Sequence, residues 1–416
     1  MGRHSTDIAI IGAGVIGLTI ALRLIAEGRE VTLIEPDEPG MGASYGNAGT
    51  VADYAVAPVG TPDVLKNLPS LLFDRNSPLA IRHSALLSLS PWLLKFARQS
   101  LPGPATRNAA AIAGLLAGAN PLWKTLATEA GASDLIQPRG CLYIYRDEKQ
   151  LQAASAEMES RRALGVQVEM LTGGQLAGLE PGLPFHAGAA FFPQAIFLSD
   201  PGQMMQRLAA AATRSAKLIR GRIDRLTREI TGVTLQGHDT GGGLLQINAR
   251  RVVIAAGAHS RALAAQAGDR IPLETERGYH VEWDMPQPPL TRPSCVTGRG
   301  FYLCPMQGRL RVAGTVELGG LKLPPSPHRI AKLVAGARSV FPDLPEPSRS
   351  WMGFRPSIPD SVPVIGPSKG GAEVLLAFGH GHIGLTLAPK TAALIADLVQ
   401  GRTPGAEIAP ALPSRF

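Results

Sequence analysis

Residues 7–35, DIAIIGAGVIGLTIALRLIAEGREVTLIE, leave this chain little freedom of fold. A short apolar run, Ile8–Ile11, stops at the turn Gly12-Ala13-Gly14-Val15-Ile16-Gly17. A helical stretch follows to Gly28, and a second run, EVTLIE, closes on Glu35. Strand, turn, helix and strand make a βαβ unit with G-x-G-x-x-G at its first turn. Gly12 allows the tight turn, Gly14 lets the backbone approach a pyrophosphate, and Gly17 lets helix and strand pack closely. The helix N-terminus, with Val15 and Ile16, turns free N–H groups and a positive dipole end towards phosphate. Glu35, 18 residues beyond Gly17, is placed to accept from ribose hydroxyls, and its charge rejects a 2′-phosphate. The unit predicts a dinucleotide-binding α/β domain without choosing NAD or FAD. The plainer alternative is a glycine-rich turn in an α/β protein that holds no nucleotide. A signal peptide or membrane span fits less well, because Asp7 opens the stretch and Gly12, Gly14 and Gly17 interrupt it.

Three further stretches bear on that choice. GMGASYGNAG, residues 40–49, follows Glu35 at once. Ser44, Asn47, Ala48 and Gly49 lie in a segment with no apolar periodicity, where an NAD fold usually moves on to another helix. It is read either as a second wall for a flavin or as an ordinary loop. ARRVVIAAGAHS, residues 249–260, follows a predicted β-meander containing Ile223, with Gly241–Gly243 as a turn. Its small residues Ala256 and Gly257 let the chain pass close to a dinucleotide. VLLAFGHGHIGLTLAPKTAALIADLVQG, residues 374–401, reads as strand, turn and helix. The turn Gly379-His380-Gly381-His382-Ile383-Gly384 opens a helix through Leu385 and Thr386. Its positive end could stabilise charge on a reduced flavin. The two histidines could equally cap the helix, and with no third ligand nearby they predict no metal site.

GFRPSIPDSVPVIGP, residues 353–367, carries four prolines around Arg355. The prolines exclude a helix and most of a central strand, so a stiff, shaped loop is expected. Either Arg355 holds a ligand anion or it pairs with Asp360.

Taken in order, GxGxxG…Glu35, GASYGNAG, VVIAAGAHS, GFRPSIPDSVPVIG and GHGHIGLTLAP resemble the FAD-dependent D-amino-acid oxidase superfamily. The bacterial D-amino-acid dehydrogenases, including the D-hydroxyproline dehydrogenases, are the nearest group. The resemblance implies an α/β fold with a Rossmann-type FAD domain assembled from residues 1–60, 196–265 and 350–416. It implies an α+β substrate domain with a mixed or antiparallel sheet from 61–195 and 266–349. Arg355 before Pro356 then matches the arginine that binds the substrate carboxylate. Tyr279, Tyr302 and His280, on predicted strands, are further candidates for the substrate pocket, although a strand tyrosine is more often core. The implied reaction is hydride transfer from Cα of a D-amino acid to flavin N5. The resulting imine hydrolyses to a 2-oxo acid, and D-proline or cis-4-hydroxy-D-proline would give a cyclic imine. Where some relatives carry a flavin-linked cysteine this chain has Gly353, so a non-covalent FAD is expected. Two rivals are a flavin-bound subunit of a heteromeric amine or opine oxidase, and a glycine- or sarcosine-type oxidase using O2. A NAD-linked reductase lacks support, because no second βαβ nucleotide unit follows.

Composition narrows the partners. The net charge is +8, but no run of Lys and Arg is dense enough for a nucleic-acid patch. Cys141, Cys295 and Cys304 are widely spaced with no CxxC pair, which suits free thiols in a reducing, cytoplasmic compartment. The electron acceptor could be a quinone, another carrier or O2. Residues 64–99, leucine-rich with basic residues and Trp92, either pack within the substrate domain or lie on the inner face of the cytoplasmic membrane.

Overall fold

The computed structural model describes residues 2–67, 79–184 and 186–416, and its fold is mixed α/β. The strand Gly2–Ile11 lies in parallel between Val31–Glu35 and Leu244–Ile254. Residues 217–220 extend the parallel sheet on one side and Gly371–Phe378 on the other. Val364–Ser368 closes it antiparallel. Both faces are covered, which is why these strands are apolar throughout. Ile8 and Ile10 pack with the helices Val15–Ala26 and Gly384–Gln400, while Ala9 and Ile11 pack with the meander formed by Lys217–Glu229, Gly232–Asp239 and Leu244–Ile254.

A second sheet runs in the order Arg349–Ser357, Glu274–Asp284, Arg309–Leu318, Phe301–Met306, Ser294–Val296, Cys141–Tyr145, Gly188–Phe192, Glu169–Thr172. Leu79–Ile81 pairs beside Arg309–Leu318. Neighbours are antiparallel except at that pair and at Ser294–Val296 with Cys141–Tyr145.

Three local expectations need correction. The stretch 353–367 is not one loop. It begins in the strand Arg349–Ser357 and ends in Val364–Ser368, crossing from the second sheet to the first. Pro356 is tolerated because its strand stands at the sheet edge, where a missing N–H breaks no inner ladder. Residues 350–357, grouped by sequence with the dinucleotide segments, therefore pair in the second sheet. Conversely, helices Pro102–Leu116 and Ala119–Glu129, grouped with the second unit, pack in the first core. Their reason is the terminal helix, apolar nearly all round, which needs cover on the side away from its sheet. Trp123 provides part of it, and its Nε1 donates to the Leu385 carbonyl at 2.8 Å. Among the described residues only Gly381–Gln400 is long and apolar enough to cross a bilayer, and most of it is buried inside the protein.

Candidate active site

The glycine turn has the geometry its sequence predicts. Gly12 adopts φ +104°, and a Cβ there would meet the Ala255 carbonyl oxygen at 2.5 Å. A Cβ at Gly17 would lie 1.9 Å from the Gly12 oxygen. Glu35 accepts from Ala13 N at 2.7 Å and Asp37 N at 3.2 Å, and burial pushes its carboxyl upward against those bonds. Loop 40–49 closes over the same turn: Gly40 N donates to Ala13 O at 2.8 Å, and Ser44 Oγ accepts from Val15 N at 3.0 Å. Asn47 braces the loop itself, donating to the Ser44 carbonyl and accepting from Gly49 N at 2.6 Å. Ala48 lies half-buried between them. The backbone at Gly257 (φ +53°) and Gly381 (φ +54°) has open space where a Cβ would stand. Both glycines lie in turns that touch the strand Arg349–Ser357. The bare turns after three parallel strands form a cradle at their carboxyl ends, where open α/β sheets bind dinucleotides.

What fixes loop 40–49 to the second sheet was not legible beforehand. Glu276, Gly278, His280 and Glu282 alternate along one side of their strand, which faces the loop. Arg311, fully buried, donates to the Tyr45 carbonyl at 3.2 Å and the Asn47 carbonyl at 2.6 Å. Its Nε pairs with Glu282 Oε1 at 2.7 Å, and Arg309 and Arg349 meet the same carboxylate at 3.0 and 2.6 Å. Against its own desolvation, chiefly through Arg311, Glu282 is held down to about 2. His280 Nδ1 bonds the Gly46 carbonyl at 3.0 Å, and its ring stacks on Trp351. A Cβ on Gly46 or Gly353 would strike that indole at 2.2 or 2.0 Å. Burial drives His280 down to about 3, so it is a neutral positioning group.

Beside this face lies a cavity of about 290 Å³, lined by Arg355, Glu276, Arg161, Tyr143 and His382 and, on its apolar side, by Ala55, Ala57, Pro58, Val59 and Val316. The Arg355 guanidinium lies over Gly278, where a Cβ would come within 2.5 Å of its Cζ. Among the described residues no carboxylate comes within 4.0 Å of it. Asp360, its sequence-level alternative partner, pairs with Arg415 at 2.9 Å. Arg355 and His382 keep surface that water can touch, yet protein surrounds both closely. Loss of hydration lowers Arg355 and, with the cations Arg355 and Arg161, brings His382 down to about 4. Arg161 is buried against Tyr143, donating to the Tyr54 carbonyl at 2.6 Å and Glu157 at 2.7 Å.

The other candidates divide. Tyr302 stands behind the wall, its hydroxyl donating to the Tyr143 hydroxyl at 3.2 Å. Tyr279 points to the opposite side of its strand, donating to Glu317 at 2.9 Å and accepting from Ser326 N at 3.1 Å. That is a core role, as strand alternation requires. His380 is buried and hydrogen-bonded to Thr391 at 2.9 Å, so its ring braces the terminal helix. Thr386 Oγ1 accepts from Ala52 N at 2.9 Å, Ile383 and Leu385 pack in the first core, and Ile223 packs in the meander core with Ala256 against it. Gly379 (φ +83°) sits against Ile358, and Gly384 begins the helix. Of the cavity's polar residues, sequence reasoning missed Glu276, Arg161 and Tyr143, and it named none of the apolar ones.

The profile of the family described as FAD dependent oxidoreductase matches residues 7–398. A D-amino-acid oxidase of Bradyrhizobium diazoefficiens is 36% identical, with 100% of this chain and 99% of that protein aligned. A D-amino acid dehydrogenase of Cereibacter sphaeroides is 29% identical over 97% of this chain and 93% of its own length. Among solved structures, glycine oxidase from Geobacillus kaustophilus superposes with a TM-score of 0.77 at 26% identity, covering 99% of each chain.

Proposed function

The chain belongs to the FAD-dependent oxidoreductase family, and on that premise we propose that it oxidises amino acids at Cα, preferring D-enantiomers. FAD, when bound, supplies a hydride acceptor. The residues suited to hold it are the turn Gly12–Gly17, Glu35, loop 44–49 and the turns at Gly257 and Gly381. With glycine rather than a nucleophile at position 353, FAD is held without a covalent bond.

The observation that carries the substrate reading is Arg355, a guanidinium in a cavity wall with no protein anion within 4.0 Å among the described residues. A substrate carboxylate supplies the missing charge in a two-pronged geometry. Glycine at 278 leaves room for that guanidinium, and the sheet holds it in place, so little entropy is lost on binding. His382, which burial and the cations Arg355 and Arg161 hold below the usual imidazole range, lines the same site. Ala55, Ala57, Pro58, Val59 and Val316 make a small apolar wall for the side chain, compatible with D-alanine, D-proline or cis-4-hydroxy-D-proline. The D preference rests on the relatives that are a D-amino-acid oxidase and a D-amino acid dehydrogenase.

The test is a panel of D- and L-amino acids with an artificial electron acceptor, alongside anaerobic bleaching of the yellow enzyme. Bleaching by D-alanine or D-proline but not by their L forms is expected. Equal rates on both enantiomers would refute the stereochemical reading, and no bleaching by any amino acid would refute the function.

For the acceptor, the helix Leu86–Gln99 offers a second reading. Its inner side packs Leu89, Trp92 and Phe96 against Ile81 and Leu318. Leu87 is 91% exposed and Leu94 73%, close to Lys95 and Arg98. Residues 68–78 of the leucine-rich stretch lie outside the described residues. This outer side suits an anionic bilayer surface holding a quinone. Co-sedimentation with anionic vesicles that Leu87→Glu/Leu94→Glu abolishes supports it, and equal sedimentation of both proteins removes it.

A further inference from the structure

We propose that Glu276 receives the substrate's ammonium group, which makes this cavity a site for amino acids and closes it to 2-hydroxy acids. The inference rests on the amino-acid reading above and adds the residue that reads the nitrogen.

Glu276 stands directly opposite Arg355 in the ladder between Glu274–Asp284 and Arg349–Ser357. Its residue is 3% exposed, and it lines the cavity. Ser357 Oγ donates to its Oε1 at 2.7 Å. That is the carboxylate's one hydrogen bond among the described residues, where an ionised carboxylate has about four acceptor positions. Arg355 does not close onto it. The guanidinium is displaced over Gly278, two residues along the strand, and the two charges stay more than 4.0 Å apart. A cation and an anion thus stand side by side on one wall, and neither is neutralised by direct contact.

A wall needed only for packing would carry an apolar residue here, because a buried carboxylate with one hydroxyl partner is costly. The arrangement instead mirrors an α-amino acid, whose carboxylate and ammonium are also adjacent and opposite in charge. With the carboxylate on Arg355, the ammonium falls towards Glu276 and offers N–H donors to the acceptor positions left open. A 2-hydroxy acid brings one weaker donor there and no positive charge, so it leaves the buried anion uncompensated.

The charged and titratable groups around Glu276 come from four elements: Arg355 on the neighbouring strand, His382 on the terminal turn, Arg161 on the helix Glu148–Ala163 and Tyr143 on Cys141–Tyr145. Burial raises the Glu276 carboxyl, while Ser357 and Arg355 lower it. Tyr143 is driven well above its usual range by burial and stays a neutral phenol.

The test uses the FAD-loaded enzyme and two unreactive probes of equal size, 2-aminoisobutyrate and 2-hydroxyisobutyrate. Neither has a hydrogen on Cα, so binding is measured by calorimetry without turnover. The wild type should bind the amino acid at least about tenfold more tightly than the hydroxy acid. Glu276→Gln should abolish that preference, weakening the amino acid while leaving the hydroxy acid as tight or tighter. Glu276→Asp should keep part of the preference, and this variant carries the test if the glutamine variant does not fold. Equal loss for both probes in Glu276→Gln, or no loss for either, overturns the inference. If the wild type binds neither probe, or binds them as well after Arg355→Leu, the amino-acid reading itself fails, and this inference with it.

Discussion

Replacing Arg355 by leucine tests the centre of the functional argument, because the surroundings fix the size and direction of both its effects. On turnover, the variant leaves the substrate carboxylate in the cavity without its counter-charge. Removing one partner of a buried ion pair costs about 3–5 kcal/mol, which corresponds to roughly 10²–10⁴ in kcat/KM. On stability the expectation runs the other way. Arg355 gives up hydration and gains only a distant attraction to Glu276, so leucine removes a desolvation cost and, among the described residues, breaks no ion pair within 4.0 Å. The melting temperature should hold or rise slightly, and FAD content, read as the ratio of flavin to protein absorbance, should stay normal. Arg355→Lys should recover part of the turnover, since a point charge replaces the planar fork imperfectly. An amino-acid amide, lacking the carboxylate, should be a poor substrate that the leucine variant handles about as well as the wild type. A leucine variant that sheds FAD or melts early, while its surviving fraction turns over normally, would make Arg355 structural and refute the reasoning.

Gly17→Ala forces a methyl to within 1.9 Å of the Gly12 oxygen; purified protein should carry much less FAD, and full loading would refute the close-packing argument. Arg311→Leu frees the Tyr45 and Asn47 carbonyls while Glu282 keeps Arg309 and Arg349, so FAD affinity should fall at least about tenfold, as equilibrium dialysis would measure; unchanged affinity would mean the loop holds itself. Asp53, pushed up to about 6 by burial despite the Asn120 amide at 2.7 Å, keeps its proton in the folded state where the unfolded chain has lost it. Its contribution therefore falls as pH rises from about 4 to about 6 and stays level above that, and Asp53→Asn should gain about 3 kcal/mol at pH 8 and almost nothing near pH 4; denaturant melts at both pH values giving equal gains would refute this.

How much of this was legible depends on how far apart in the chain the interacting groups lie. The Gly12–Gly17 turn and Glu35 could be read because strand, turn and helix are consecutive, and backbone sterics alone dictate the glycines. Arg355 could be read because prolines flank it, but its backbone was misjudged: Pro356 forbids an inner strand and permits an edge one, and only the assembled sheet shows which this is. The strand ETERGYHVEWD hides its two sides for a different reason. Each residue from Thr275 to Trp283 is buried, so no polar alternation marks inside from outside. Both sides carry ion pairs, Arg277 with Glu317 on one and Glu282 with Arg311 on the other. Strict alternation still separates Tyr279 from His280, and it puts Glu276, Gly278 and His280 together. Nothing in the sequence, however, says that residues 276 and 355 are cross-strand partners, 79 positions apart. Arg161 and His382 reach the same cavity from a helix and a turn that no spacing relates. The cradle is thus written in local backbone chemistry, while the proposed choice of substrate is written in pairings that exist only once the second sheet has formed. That is why Glu276, the acid that stands beside the arginine, carried no signal of its own.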